Sequence, residues 1–164
     1  QGRFLLSPVP AGNYDLVITA QGRVTLVMTG VPVSDVGRTT INTSSTPIAL
    51  TDSDTRSVSG VVSTGGSSDV PDAMVRALQT VNGQTIEWTA RPVDADTGVY
   101  LFSLPVAAAA FTAYDPAATS YTFTPDAGTA ARYTIQARVP GQDSQQAEVD
   151  LSSADQTADF VFAP

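Results

Sequence analysis

The sequence contains no cysteine, no histidine and no lysine; its eight basic residues are all arginine. Each absence removes chemistry. Without His or Cys the chain lacks the usual ligands of zinc, copper and haem. It also lacks a thiol nucleophile and the side chain that most often moves protons near neutral pH. Without Lys there is no amine for a Schiff base. Carboxylates, hydroxyls and Arg remain, a narrow catalytic repertoire that implies no cofactor and no enzyme. The missing cysteines leave the redox compartment open, since Cys-free proteins occur in reducing and oxidising ones alike.

Positive charge is scarce as well. The formal net charge is −8, and an acidic surface repels phosphate backbones and anionic membranes, so nucleic acid is not an expected partner. No apolar run approaches the roughly 20 residues that cross a bilayer; the longest weakly polar stretch, 106–111, is mostly alanine. Direct membrane insertion is not expected. The sequence starts at Gln1 without the charged-then-apolar pattern of a leader, so a targeting segment is expected to have been removed or to lie upstream.

What is present is β pattern. Hydrophobic residues make up 42% of the chain, enough for a packed core. Val, Thr, Ile, Tyr and Phe alternate with polar residues in short runs between Gly, Pro, Asn and Asp. Tyr14, Leu16 and Ile18 would share one face of a strand, and Val24, Leu26 and Met28 another. Tyr133, Ile135, Ala137 and Val139 alternate with Arg132, Thr134, Gln136 and Arg138, the pattern of a half-buried antiparallel strand. Asn82-Gly83 sits between two strand-like runs within 74–89 and predicts a type I′ hairpin turn. A second turn is predicted at 94–98, leading into a strand over 99–104. No segment carries helical periodicity; the alanines at 107–110 could make a helical turn, but Phe111, Thr112 and Tyr114 favour extended chain.

An internal repeat is visible. Residues 4–10 (FLLSPVP) resemble 100–105 (YLFSLP), and 13–22 (NYDLVITAQG) resemble 132–141 (RYTIQARVPG). Another strand follows each, ending in Thr39-Thr40-Ile41-Asn42 in the first copy and in 158–162 in the second. These alignments predict a C-terminal half of a first β-sandwich module over 1–52, a linker at 53–56, and a complete second module over 57–164. The second carries an insertion near 106–131. A half-module leaves an unpaired sheet edge. Three explanations stand side by side: the sequence begins within a domain, the half packs onto the second copy, or another chain supplies strands. The first is the plainest.

Val58-Ser59-Gly60-Val61-Val62, then Val70-Pro71-Asp72-Ala73-Met74-Val75, then Asp94-Ala95-Asp96-Thr97-Gly98-Val99-Tyr100 with Leu104-Pro105, resemble the carboxypeptidase regulatory-like repeat in motif and in order. Pro8-Val9-Pro10-Ala11-Gly12-Asn13-Tyr14 resembles the same repeat's turn-and-tyrosine element. The combination is similar to the C-terminal part of bacterial surface lipoproteins of unknown function. The resemblance implies a prealbumin-like (transthyretin-like, Ig-like) antiparallel β-sandwich, in tandem here, in a bacterial envelope, periplasmic or extracellular location. It implies no catalytic activity. Related surface modules can carry a Lys–Asn isopeptide bond; without Lys this chain cannot.

Few residues invite a chemical role. Asp94, Asp96 and Gly98 look like the start of a calcium loop, but strand-forming residues follow instead of further oxygen ligands and a bidentate Glu. The plainer reading is a turn held by Asp side chains on backbone N–H groups. Asp52 and Asp54 could add ligands, and solvate the linker more simply. The only glutamates, Glu87 and Glu148, sit in exposed strand patterns rather than facing each other across a cleft. Trp88, Tyr114, Tyr121 and Phe123 are candidates for a platform that stacks on sugar rings; the plainer reading is burial across the hairpin and the sandwich edge. Asn42-Thr43-Ser44 is a sequon of the kind that arises by chance.

Two functional classes follow. One is a non-catalytic cell-surface spacer, display or assembly unit with protein partners, self-association included, which as a filament subunit would complete its half-module by strand complementation. The other is a carbohydrate- or protein-binding accessory domain.

Overall fold

The computed structural model describes residues 4–41, 47–65, 67, 70 and 72–164. Its regular structure is almost wholly β, as the alternation predicts. In chain order the strands are β1 (Gly12–Ile18), β2 (Leu26–Val33), β3 (Thr55–Thr64), β4 (Met74–Val81), β5 (Gln84–Pro92) and β6 (Val99–Pro105). Then come β7 (Ala110–Ala113), β8 (Thr124–Pro125), β9 (Arg132–Arg138), β10 (Gln145–Asp150), β11 (Gln156–Thr157) and β12 (Phe160–Phe162). A 3-10 turn, Ala127–Thr129, precedes β9.

The main body is a sandwich of two sheets. One runs β10-β9-β4-β5, all antiparallel. The other is built on β3, with β6 antiparallel on one side and β11, then β12, parallel on the other. Those parallel pairings depart from a purely antiparallel sandwich. The inward residues of the two sheets form one core that includes Val58, Phe102, Leu104, Val75, Tyr133 and Ile135. Ile135 and Ala137 are fully buried while Arg132 and Arg138 face out, as the two-residue period requires.

The predicted turns form. Asn82 and Gly83 both adopt positive φ, 49° and 77°, joining β4 to β5 as a type I′ turn demands. Gly98, at φ 67°, closes the 94–98 turn ahead of β6. Thr39 to Ile41, expected to end a strand, lie outside any strand; Asn42 and the sequon it begins fall outside the described residues.

A third sheet holds the N-terminal region. Its order is β1-β2-β7-β8: β1 and β2 are antiparallel, β2 and β7 parallel, β7 and β8 antiparallel. Its second half therefore comes from residues 106–131, the stretch between β6 and β9. One face of this sheet, through Val17, Val27 and Phe111, packs on Val81 and Ile86 at the tip of the β4–β5 hairpin, with Ala109, just ahead of β7, in the same cluster. The other face carries Ile18, Leu26 and Ala110, with Ile48, Ala107 and Phe123 against it.

Polar bonds hold this arrangement. Asp126 accepts from the Asn82 amide at 3.0 Å and from the Gly128 amide at 3.1 Å. The buried Gln79 side chain donates to the carbonyls of Thr129 and Arg132 at 3.1 and 3.3 Å. The connection between the two regions is bonded on both sides. Val24 N–H donates to Thr51 and Ser53 N–H to Gly22, while Val106 N–H donates to Asp54 and Ala107 N–H to the Ser53 hydroxyl. Arg23 and Asp52 pair alongside.

Candidate functional site

Asp94 Oδ1 accepts from the Asp96 amide (3.2 Å), the Thr97 amide (2.9 Å) and the Thr97 hydroxyl (2.7 Å). One carboxylate oxygen thus satisfies three donors of its own loop, and Gly98 N–H donates to the Asp94 carbonyl at 2.7 Å. The Thr97 hydroxyl, then its amide, hold the Asp94 carboxyl below its ordinary value. This is an Asx-type turn that aims β6. Asp52 faces Arg23. Among the described residues no three His, Cys, Asp or Glu side chains gather in a way that could hold a metal ion.

The two glutamates take separate partners. Glu87 faces Arg76 across the hairpin at 3.4 Å, and Glu148 accepts from the Thr134 hydroxyl at 2.7 Å. Both are exposed strand positions.

The aromatics do not make one platform. Trp88 is half-buried against the main sandwich core. It owes its position to a bulge: Ala77 pairs with Thr89 and Leu78 with Glu87, so Trp88 is the extra residue. Its indole N–H is buried without a hydrogen-bond acceptor among the described residues, although buried Trp N–H groups usually find one. Tyr121 and Phe123 stand elsewhere, on the β1-β2-β7-β8 sheet. Tyr121 donates to the Asp115 carbonyl at 2.9 Å. Burial raises its hydroxyl above the ordinary value, and the neighbouring Tyr114 and Asp115 add to that. Tyr114 is half-buried, and its amide extends the β2–β7 pairing by donating to Thr29 at 2.9 Å.

What sequence reasoning missed is a groove of about 490 Å³ over the outer face of this sheet. Leu26 and Ala110 make its floor, Ile48 and Phe123 its walls, and Thr51 and Tyr121 supply polar atoms. The alternation of Val24 and Leu26 marked an apolar face. Nothing local in the sequence said that residues 47–51 and 120–125 would lie against it. Among the described residues its lining holds no charged side chain, so it can bury apolar or aromatic surface and offer a few hydrogen bonds, without acid–base chemistry.

Comparison with family models, with curated proteins and with solved structures finds no match to this chain.

Proposed function

We propose that this chain is a non-catalytic structural module of a bacterial cell surface or extracellular protein, a stiff spacer or display unit. The observation that carries the reading is the joint at residues 51–54. A spacer transmits position only if its parts do not hinge, and this joint is bonded through the backbone to the 22–24 turn on one side and to residues 106–107 on the other. The inserted stretch 106–131 adds a second tie by continuing the N-terminal sheet. The exposed Asp94 and Asp155 and the half-buried Asp126 use their carboxylates to accept from backbone amides, which suits a scaffold rather than a catalyst. The resemblance to carboxypeptidase regulatory-like repeats supports the same reading, as do the missing His, Cys and Lys.

Small-angle scattering tests it. A rigid chain of this length gives a radius of gyration of about 15 Å, independent of temperature below the unfolding transition. A larger value that grows on Ser53→Gly substitution marks a hinge and removes the spacer reading.

A second reading has one observation behind it. The groove beside Tyr121 and Phe123 falls in the size range of small-molecule sites, which supports an accessory domain that binds carbohydrate or an apolar peptide there. Trp88, held on the core, takes no part in it. Tyr121→Ala abolishes retention on a glycan array if sugars are the ligand; an array on which the unaltered chain retains nothing ends the carbohydrate version.

A further inference from the structure

Asn82 is one of three asparagines and the one that precedes a glycine; Asn13 precedes Tyr14 and Asn42 precedes Thr43. Asn82 and Gly83 make the turn between β4 and β5, and both are exposed. A Cβ at Gly83 would meet nothing within 4 Å, so the turn has room to rearrange. The Asn82 backbone amide donates to Asp126 at 3.0 Å. The Asn82 side-chain amide and the Gly83 N–H take no hydrogen-bond partner among the described residues. Two groups that react with each other thus stand side by side, unengaged and open to water.

The reaction needs only water. The Gly83 nitrogen loses its proton and attacks Asn82 Cγ, with no side chain on the glycine to block the approach. The new N–Cγ bond forms, the Cγ–Nδ2 bond breaks, and Nδ2 leaves as ammonia carrying the proton. A cyclic imide remains. Water then opens it at either carbonyl, leaving an aspartate or an isoaspartate whose main chain runs through Cβ. Asparagine counts among the thermolabile side chains for reasons of this kind.

The neighbours decide what the product does. Either product adds one negative charge to a chain whose net charge is −8. In the isoaspartate the new carboxylate sits on the Cα that bears the nitrogen held by Asp126, and like charges that close repel. The added main-chain carbon also spoils a two-residue turn whose register pairs Val81 with Gln84. Val81 is fully buried and Ile86 nearly so; with Val27 and Ala109 they form the apolar cluster that seats the third sheet on the hairpin. Asp126 meanwhile caps the 127–129 turn through the Gly128 amide. Both ties between the two regions therefore meet at Asn82.

We infer that Asn82 is a site of spontaneous deamidation, and that the change loosens the third sheet from the sandwich as a one-way chemical timer. The inference goes beyond the spacer reading and does not depend on it.

The 164-residue chain is aged in mildly alkaline buffer beside a blocked peptide with the sequence of residues 79–87. Tryptic peptides are mapped by mass and fragmentation. The expected result is exchange of NH2 for OH at Asn82 at a rate within about tenfold of the free peptide, since an exposed turn adds little to the barrier. Asn82→Gly, which keeps a residue that accepts positive φ, removes the reaction. The aged, more acidic fraction is then isolated by anion exchange and compared with fresh chain by hydrogen exchange. Exchange in Ala110–Ala113 speeds up about tenfold, the worth of one hydrogen bond to a charged acceptor, while Arg132–Arg138 stays as it was. Three results overturn the inference: Asn82 intact when the free peptide has fully reacted, unaltered exchange in Ala110–Ala113 of the acidic fraction, or equal acceleration in both strands. An Asn82→Gly chain that ages into the same acidic fraction also overturns it, by placing the reaction elsewhere.

Discussion

The Tyr100 hydroxyl donates to the Ala158 carbonyl at 2.5 Å, directly over Gly60. Ala158 lies between β11 and β12, where the chain swings its carbonyl into β3. Around the kink, Asp155 and Asp159 accept the Ser57 and Val61 amides with their side chains, at 2.8 and 2.9 Å. A methyl group on Gly60 would stand 2.0 Å from the Ala158 oxygen and 2.9 Å from the Tyr100 ring. Gly60→Ala therefore forces backbone to move, and its expected cost is roughly 1–3 kcal/mol. Tyr100→Phe, which removes only the hydrogen bond, costs about 1 kcal/mol. Urea unfolding measures both; an unchanged midpoint for Gly60→Ala would show that the kink is soft.

Alkali should act through the same tyrosine and through Tyr133. Burial raises both hydroxyls well above their ordinary value of 10.0, with Asp159 adding to the effect at Tyr100. In the unfolded chain both ionise near the ordinary value. Their contribution to stability is therefore whole below pH 10 and is lost as the pH rises from there toward the folded value. An ultraviolet titration should find two of the five tyrosines ionising only as the fold collapses. Smooth ionisation of all five with near-ultraviolet circular dichroism intact would contradict this.

Acid should act through turns. Asp94 is held below its ordinary value of 3.8 first by the Thr97 hydroxyl and then by its amide, and Asp150 first by the Ser152 hydroxyl, then its amide, with Arg132 adding to it. Lowered carboxylates stabilise the fold above pH 3.8 and lose that contribution as the pH falls through their folded values. Asp94→Ala is thus expected to be less stable than the parent at neutral pH, with the gap narrowing below pH 3.8. A gap that stays constant down to pH 2 would assign the effect to packing instead.

The stretch 106–131 between β6 and β9 should detach when its polar ties are cut. Gln79→Leu leaves the carbonyls of Thr129 and Arg132 without this donor at a buried site, at an expected cost of about 1–3 kcal/mol. Hydrogen exchange at residues 109–113 should speed up more than exchange in β9. Asp126→Ala, which frees the Asn82 and Gly128 amides, should show the same order. Equal acceleration in both regions would mean that the third sheet and the sandwich open together.

Much of this architecture was legible in advance, for reasons that can be named. Asn82-Gly83 can hardly be anything but a tight hairpin turn, because both positions need positive φ. The run from Arg132 to Arg138 alternates so cleanly that only one face could be buried. The glycine of Val58-Ser59-Gly60-Val61-Val62 looked like one letter of a motif; its reason, the incoming Ala158 carbonyl, lies 98 residues away in the sequence. Trp88 was a candidate for stacking, with burial across its hairpin as the plainer reading. A one-residue bulge opposite Ala77 and Leu78 turned it onto the core, and no local pattern announces a bulge there. The groove beside Phe123 was illegible for a similar reason, since it forms between segments far apart in the chain.

By itself, then, the order of side chains determined that this protein is β throughout, where several of its strands turn, and that it carries no thiol, imidazole or amine. Those properties depend on local conformational preference and on atoms that are either present or absent. Only the tertiary structure decided that β2 takes β7 as a parallel neighbour, that residues 51–54 are bonded on both flanks, and that β1 ends its sheet among the described residues. Strands are joined by backbone N–H and C=O groups that nearly every residue carries alike, so the choice of neighbour is written in the packing of the whole chain.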